Sequence, residues 1–194
     1  MNRKAGLGLV GGIACVVAVL FPAYAQELSE KSVRTFMNYA WQLVPSQFTP
    51  PNGDTIMIDK TKKDAVMVPI DVAREVIRVG RLSAHAQICD LKEEQICNYQ
   101  SLMRREVNKK SWSEQQLVYI SQLHLTTVML LTGKIKLVEK DGDKEVVVEE
   151  SKAPAAATCT EEQKAKVTEV IATYVKAGPD LNADICKFDN AAKK

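Results

Sequence analysis

The chain has 194 residues, with 26 lysines and arginines against 24 aspartates and glutamates. If a leader over residues 1–25 is removed, Arg3 and Lys4 go with it, and 24 basic residues face 24 acidic ones. This balance excludes a general electrostatic attraction to nucleic acid or to an anionic membrane. Residues 26–194 are long enough for one domain with its own core.

The first 25 residues have the three-part pattern of a secretory signal peptide. Arg3 and Lys4 precede an almost wholly apolar run, and Ala23 and Ala25 occupy the small positions that signal peptidase recognises. We therefore expect cleavage after Ala25, a periplasmic or secreted location, and no stable transmembrane segment in the mature protein. The competing interpretations are a retained membrane anchor and lipidation at Cys15, which lacks a good lipobox.

The segment after the leader predicts one helix followed by turns. Residues 26–44 carry apolar residues at helical spacing, and Ser29 is placed to cap the first turn. Residues 45–54 contain three prolines and an Asn-Gly pair, which favour turns. Residues 55–59 and 65–68 are short β-leaning runs that could pair as a hairpin, although two strands this short are marginal unless they pack on helices.

Residues 71–133 predict three consecutive helices, which complete a helical core domain over residues 26–133. The first helix has Asp71 as its predicted cap. Ten small or β-branched residues recur along it at helical spacing and suit a close neighbour. They are Val72, Ala73, Val76, Ile77, Val79, Gly80, Ser83, Ala84, Ala86 and Ile88.

The second and third of these helices have capping signals of their own. Asp90 and Glu93 form a predicted capping box for the second helix, and Ser111 or Ser113 can cap the third. Gly133 is a natural end for the third helix, whose apolar run is too short and polar to span a bilayer. The residues expected to be buried are Ile96, Tyr99, Met103 and Val107 in the second helix, and Leu117, Ile120, His124, Val128 and Leu131 in the third.

The pattern changes from helical to alternating after Gly133. Residues 134–150 predict a β-hairpin that turns at Asp141-Gly142, and residues 151–158 predict a linker. Residues 159–194 predict a helical hairpin, whose first helix is capped by Thr160. The predicted fold class is therefore mainly α: a small helical bundle with a β-hairpin appendage and a disulfide-closed C-terminal helical hairpin.

Four cysteines remain after the leader is removed, namely Cys89, Cys97, Cys159 and Cys186. An even number of cysteines in an exported chain indicates disulfides, and four cysteines allow three pairings. We favour Cys89–Cys97 with Cys159–Cys186, because each pair brackets a predicted break between helices. Along one unbroken helix Cys89 and Cys97 would be about 12 Å apart, so the first bond requires a turn near Asp90.

Two residue sets are candidates for a binding site. Arg74, Arg78, Arg81 and His85 line one side of a helix, where they could hold an anionic group or an acidic partner; the alternative is a solvated face balanced by Asp71 and Glu75. His85, Cys89, Cys97 and His124 have the side-chain types of a Cys/His metal site, although oxidation of the cysteines is the stronger expectation.

The sequence indicates no enzyme class, because no nucleophile elbow, phosphate loop or His-Glu-x-x-His motif is present. We therefore expect no cofactor and an exported, non-catalytic helical protein. Its expected role is contact with an unknown protein partner in the cell envelope, or an accessory structural role there. The alternative function is binding of a metal or small ligand near His85, Cys89 and His124.

Overall fold

The computed structural model describes residues 28–51, 53–141, 144–149, 159–181 and 186. The predicted leader, the predicted linker and most of the predicted final helix lie outside these residues. No helix in the described part of the chain is long and apolar enough to cross a membrane.

The fold is mainly helical, as the sequence predicts. The described helices are α1 (Glu30–Leu43), α2 (Lys63–Val66), α3 (Ile70–Ile88), α4 (Lys92–Asn108), α5 (Glu114–Leu131) and α6 (Glu161–Lys176). Two antiparallel hairpins accompany them, one of β1 (Gln47–Phe48) with β2 (Ile56–Met57) and one of β3 (Leu137–Asp141) with β4 (Lys144–Glu149). The bundle with an added β-hairpin is therefore confirmed.

Side-chain caps form at three of the predicted helix starts. Ser29 caps α1, and Thr160 caps α6 in a capping box with Gln163. At α5 the cap is Ser113, which forms its box with Gln116. Each cap oxygen accepts a hydrogen bond from a backbone N–H that would otherwise lack a partner.

The predicted caps of α3 and α4 are wrong. Helix α3 begins one residue before Asp71, which lies in the first turn and makes no cap. Helix α4 begins after Leu91, and Asp90 adopts a left-handed conformation with φ of 57° in the turn before it. The turn predicted near Cys89 and Asp90 is nevertheless present, because asparagine and aspartate tolerate this conformation better than most residues.

Helices α3 and α5 pack against each other at the centre of the bundle. Eight of the ten small or β-branched residues of α3 are buried, which confirms the predicted close-packing face. A Cβ atom on Gly80 would lie 2.8 Å from Thr127 Cβ, so the two helices approach too closely for a larger residue there. Helix α1 joins this core through Met37, whose carbonyl accepts a hydrogen bond from the buried Tyr119 hydroxyl at 3.0 Å.

The predicted hairpin of residues 55–59 with 65–68 is wrong. Strand β2 pairs with β1 instead, with Gln47 opposite Met57 and Phe48 opposite Ile56. Residues 63–66 form the short helix α2, which buries Val66. Runs of two or three β-leaning residues carry too little information to fix the partner strand.

The predicted disulfide pairing is also wrong. Cys89 bonds to Cys159 and Cys97 bonds to Cys186, with Cα–Cα distances of 5.1 and 5.5 Å. The C-terminal segment is therefore not closed on itself, but is joined at both of its ends to the turn and helix that follow α3. The sequence could not show this, because the pairing depends on where α6 docks.

Helix α6 packs against α3 and α4 in a second, smaller core. This core contains Ala86, Cys89, Cys97, Val167, Ile171, Val175 and Cys186. The arginine at position 105 also contacts α6, since its Nη2 donates to the Tyr174 carbonyl at 2.6 Å and its guanidinium lies 4.5 Å from the Tyr174 ring centroid. The C-terminal segment therefore packs on the bundle.

Candidate functional site

Helix α4 turns its polar side to the core and its apolar side outward. Its buried residues, called the inner face here, are Cys97, Asn98, Ser101, Leu102 and Glu106. The residues that the sequence predicts to be buried are called the outer face, and they are Ile96, Tyr99, Met103 and Val107. Ile96 is 44% exposed and Val107 is 50% exposed. Tyr99 and Met103 are half-buried. The predicted buried stripe of α4 is therefore wrong at Ile96 and Val107, while Met103 packs in part against the main core.

Hydrogen bonds accommodate part of the polar inner face, while Asn98 Oδ1 and Ser101 Oγ are buried without a hydrogen-bond partner among the described residues. The Asn98 side-chain amide donates to the Val79 carbonyl and to Ser83 Oγ, each at 2.9 Å. Ser83 Oγ lies 2.9 Å from His124 Nε2, and burial lowers the pKa of His124 to about 4. A neutral imidazole with its proton on Nδ1 can accept the Ser83 hydroxyl hydrogen, which links three helices through polar groups.

Glu106 closes the other end of the inner face. Its side chain is only 3% exposed and accepts hydrogen bonds at 2.8 Å from the Lys109 ammonium and from Trp112 Nε1. Trp112 belongs to the turn between α4 and α5, so this carboxylate fixes the turn to the last part of α4. A buried carboxylate needs such partners to offset the loss of water.

The outer face of α4 borders a cavity of about 550 Å³ between α4 and α5, which we call the anchor cavity. Its apolar walls come from both helices, and the Tyr99 hydroxyl bonds to Ser121 Oγ at 2.7 Å across it. Leu125 on the α5 side is 48% exposed. The lining residues are Gln87, Lys92, Gln95, Ile96, Tyr99, Ser121, His124, Leu125, Val128, Met129 and Lys134.

A second cleft, also of about 550 Å³, lies further along the outer face toward the end of α4. It is lined by Tyr99, Gln100, Met103, Arg104, Val107, Asn108 and Leu181. Tyr99 borders both spaces, so the outer face of α4 forms a ridge that borders the anchor cavity at Ile96 and the second cleft at Met103 and Val107. A volume of this size is typical of spaces that accept one large side chain or a small ligand.

Among the described residues, the charged groups that line the two depressions are basic. Lys92 and Lys134 line the anchor cavity and Arg104 lines the second cleft, and no described aspartate or glutamate lines either. We call these three residues the basic rim. The rim places three positively charged side chains around the two depressions.

The arginine and histidine stripe of α3 lies elsewhere and has contacts within the chain. The Arg74 guanidinium donates to the Leu28 carbonyl. Arg78 is paired with Glu75 at 2.6 Å, which raises the pKa of Arg78, and its guanidinium lies 5.9 Å from the Tyr174 ring centroid. Burial, and then the positive charge of Arg81, lower the pKa of His85. A binding role for this stripe stays a prediction.

The candidate metal set loses its thiolates in this fold. Cys89 and Cys97 are both bonded to C-terminal cysteines, so neither sulfur can bind a metal as a thiolate. Within the described residues no three His, Cys, Asp or Glu side chains are grouped closely enough to hold a metal ion. His124 does reach the wall of the anchor cavity, but its Nε2 is bonded to Ser83.

The chain matches no protein family model, no curated protein and no solved structure in the three comparisons made.

Sequence reasoning did not single out Leu125 or the basic rim. One signal was present, because residues 117–131 of α5 are apolar on nearly every side of the helix. A helix of this kind must be covered on all sides or leave apolar side chains exposed. The lysines gave no signal, since Lys92 and Lys134 are brought to one cavity by the antiparallel arrangement of α4 and α5.

Proposed function

We propose that this protein is an exported, non-catalytic binding protein whose outer face of α4 holds an amphipathic helix of a partner protein. The observation that carries the proposal is the reversed orientation of α4, which leaves Ile96 and Val107 exposed beside the anchor cavity and the second cleft. Exposed apolar residues scattered singly need no explanation, but a row of apolar residues that lines two neighbouring depressions favours an interaction surface.

The shape of the surface favours a helix as the bound element. Ile96, Tyr99, Met103 and Val107 follow one another at intervals of three, four and four residues, which places them along one side of α4 over about 16 Å. A partner helix can lay its own apolar stripe along this ridge and insert a large side chain into the anchor cavity. Helix-in-groove recognition uses this spacing of anchors, and buried central side chains supply most of its affinity.

Export is supported by the leader pattern together with the disulfides. The two bonds join residues that are 70 and 89 positions apart in the chain. Bonds of this kind persist in the periplasm or outside the cell, whereas the cytosol keeps most thiols reduced. The proposed site of action is therefore the cell envelope or the extracellular space.

A non-catalytic role is supported by the burial of the contact between Ser83 and His124. Ser83 is fully buried, and its hydroxyl is held by Asn98 and His124. A serine without access to the cavity cannot attack a bound substrate, so this Ser–His contact is a structural one.

A small-ligand function has one observation in its favour, which is the contribution of His124 to the wall of the anchor cavity. A metal ligand is not supported, because Cys89 and Cys97 are both in disulfides. The alternative function is therefore binding of an uncharged or anionic organic ligand. Such a ligand would fill the anchor cavity without needing Val107 at the far end of the outer face. The effect of changing Val107 therefore separates the two functions.

The proposal is tested with a fluorescein-labelled, stapled helical peptide that carries a leucine stripe and otherwise only alanine and glutamine. Fluorescence anisotropy should show binding at roughly 10 μM, as expected for a small interface. Ile96→Lys and Val107→Lys should each weaken binding at least about tenfold, because each places an ammonium against the stripe. Met57→Lys is the matched control, since Met57 is 61% exposed on β2, away from α4.

Absence of binding to the wild-type protein would contradict the proposal, as would equal binding by Ile96→Lys. Loss of binding by Ile96→Lys but not by Val107→Lys would favour a small ligand confined to the anchor cavity.

A further inference from the structure

We infer that the partner helix is acidic, with carboxylates on both sides of its apolar stripe that face the basic rim. This inference rests on the proposed function and names the chemistry of the partner. It starts from the charges at the surface, because Lys92, Arg104 and Lys134 line the two depressions and no carboxylate of a described residue lines either of them.

Two of the three cations lie at one end of the ridge. Lys92 is the first residue of α4, and Lys134 follows the end of α5 at Leu131. Helices α4 and α5 are joined by a short turn over residues 109–113 and run in opposite directions, so the start of one meets the end of the other. Both ammonium groups therefore flank the anchor cavity, and Arg104 lies further along α4.

These cations are available to a partner. The Lys92 ammonium lies 3.6 Å from an Asp90 carboxylate oxygen, and the two side chains are 82% and 81% exposed. An ion pair that is this exposed contributes little energy, so a partner carboxylate can replace Asp90. Within the described part of the chain, neither Arg104 nor Lys134 forms an ion pair. A partner carboxylate can therefore approach the rim without first breaking a strong contact.

A second copy of this chain is a poor occupant of the same surface. In a two-fold symmetric dimer that pairs α4 with α4, the outer face of one copy contacts the same outer face of the other copy. In an antiparallel contact Lys92 would face Arg104 of the other copy, and in a parallel contact it would face the other Lys92. Like charges placed together at an interface oppose association, whereas opposite charges steer the correct partner.

An anionic lipid surface has the same charge preference, but it fits the shape less well. Interfacial helices insert a convex apolar face into the lipid headgroups. Here the anchor cavity is concave, since it lies between α4 and α5 and takes its walls from both helices. A concave space with a basic edge suits a side chain from a helix that also carries acidic groups.

The inference is tested with three stapled peptides that share one leucine stripe and differ only in their flanks, which are glutamates, glutamines or lysines. The wild-type protein should bind the glutamate peptide roughly tenfold more tightly than the glutamine peptide at low salt, and the lysine peptide more weakly than either. The double variant Lys92→Glu/Lys134→Glu should reverse this order. The matched control is Lys31→Glu/Lys166→Glu, which changes charge equally on α1 and α6 and should keep the wild-type order.

The outcomes separate this inference from the proposed function. Equal binding of the glutamate and glutamine peptides would overturn the acidic partner and leave helix binding in place. Binding of none of the peptides would remove both. If the protein bound phosphatidylglycerol vesicles, measured by sedimentation, with a higher affinity than any of the peptides, the surface would be assigned to lipid. If the protein formed a dimer that Ile96→Lys abolished, the surface would be assigned to a second copy. Either result overturns the inference.

Discussion

The two faces of α4 differ in the opposite sense to an ordinary amphipathic helix. The inner face contains an asparagine, a serine and a glutamate that are nearly inaccessible to water, while the outer face leaves Ile96 and Val107 about half exposed. Polar residues can be buried in this way when the surrounding helices supply hydrogen-bond partners. The exposure of these two apolar residues is the observation on which the proposed binding role rests.

The inner face is stabilised by specific covalent and polar contacts. It relies on a disulfide at Cys97, on the Asn98–Ser83–His124 contacts and on the Glu106 carboxylate. Each of these is a specific pairing, whereas ordinary apolar packing tolerates many substitutions. Removing the pairings one at a time should therefore destabilise the protein, while the outer face should tolerate change.

The largest effect is expected from the disulfide on the inner face. The double variant Cys97→Ala/Cys186→Ala removes a bond between residues 89 positions apart, which in the chain-entropy model should lower the free energy of unfolding by about 4 kcal/mol. Urea denaturation of the oxidised proteins measures this. Cys89→Ala/Cys159→Ala should cost a similar amount, since its bond spans 70 positions.

Tryptic mapping without reduction checks that these are the correct pairs. Trypsin places the four cysteines in four different peptides, covering residues 82–92, 93–104, 153–164 and 177–187. The structure requires the first peptide to be linked to the third and the second to the fourth. A link between the first and second peptides would contradict the arrangement of α6.

The next largest effect is the pH dependence caused by His124. Burial lowers its pKa from 6.5 to about 4, so the unfolded chain binds a proton in this range more readily than the folded protein does. The stability contributed by the neutral ring is complete above pH 6.5 and is lost as the pH falls toward 4. The loss should reach about 3 kcal/mol.

Urea denaturation between pH 7 and pH 4 should show this loss in the wild type but not in His124→Gln, which has no group titrating there. The difference between the two proteins isolates His124 from the carboxylates, which titrate in both. Identical pH profiles would show that the ring is not buried as a neutral group.

A smaller effect is expected at the end of α4. Glu106→Ala should lower the free energy of unfolding by about 2 kcal/mol, because it leaves Trp112 Nε1 without its acceptor and frees the Lys109 ammonium. Glu106→Gln keeps an oxygen for Trp112 and should cost less. Denaturation followed by tryptophan fluorescence compares the two variants, and an unchanged stability in Glu106→Ala would place Glu106 in water.

The sequence predicted most of the local structure correctly, because caps, turns and small-residue faces act over a few residues. Ser29, Thr160 and Gly133 mark helix ends as expected, and the Gly80 face of α3 packs closely. The orientation of α4 was not predictable from its own pattern. Both of its faces can be buried in principle, and the choice depends on Ser83 and Val79 from α3 supplying partners for Asn98.

The candidate site could not be predicted from the sequence, because it also depends on how other helices pack against α4. The outer face was identified as a stripe of four residues, but its exposure could not be derived without knowing where α5 and the C-terminal segment lie. The prediction of the disulfide pairing was wrong for a similar reason, since the packing of α6 on the bundle brings Cys159 to Cys89 and Cys186 to Cys97. Long-range contacts of this kind leave no periodic signal in one sequence.

The most direct test of the open outer face is the stability of the double variant Ile96→Lys/Val107→Lys, measured by urea denaturation. We predict a change of less than about 0.5 kcal/mol, because substitutions on an exposed helix face have little effect. Leu102→Ala on the inner face is the control and should cost about 3 kcal/mol, since Leu102 is fully buried. If the double variant lost as much stability as Leu102→Ala, the outer face would be part of the core, and the proposed binding surface would not exist.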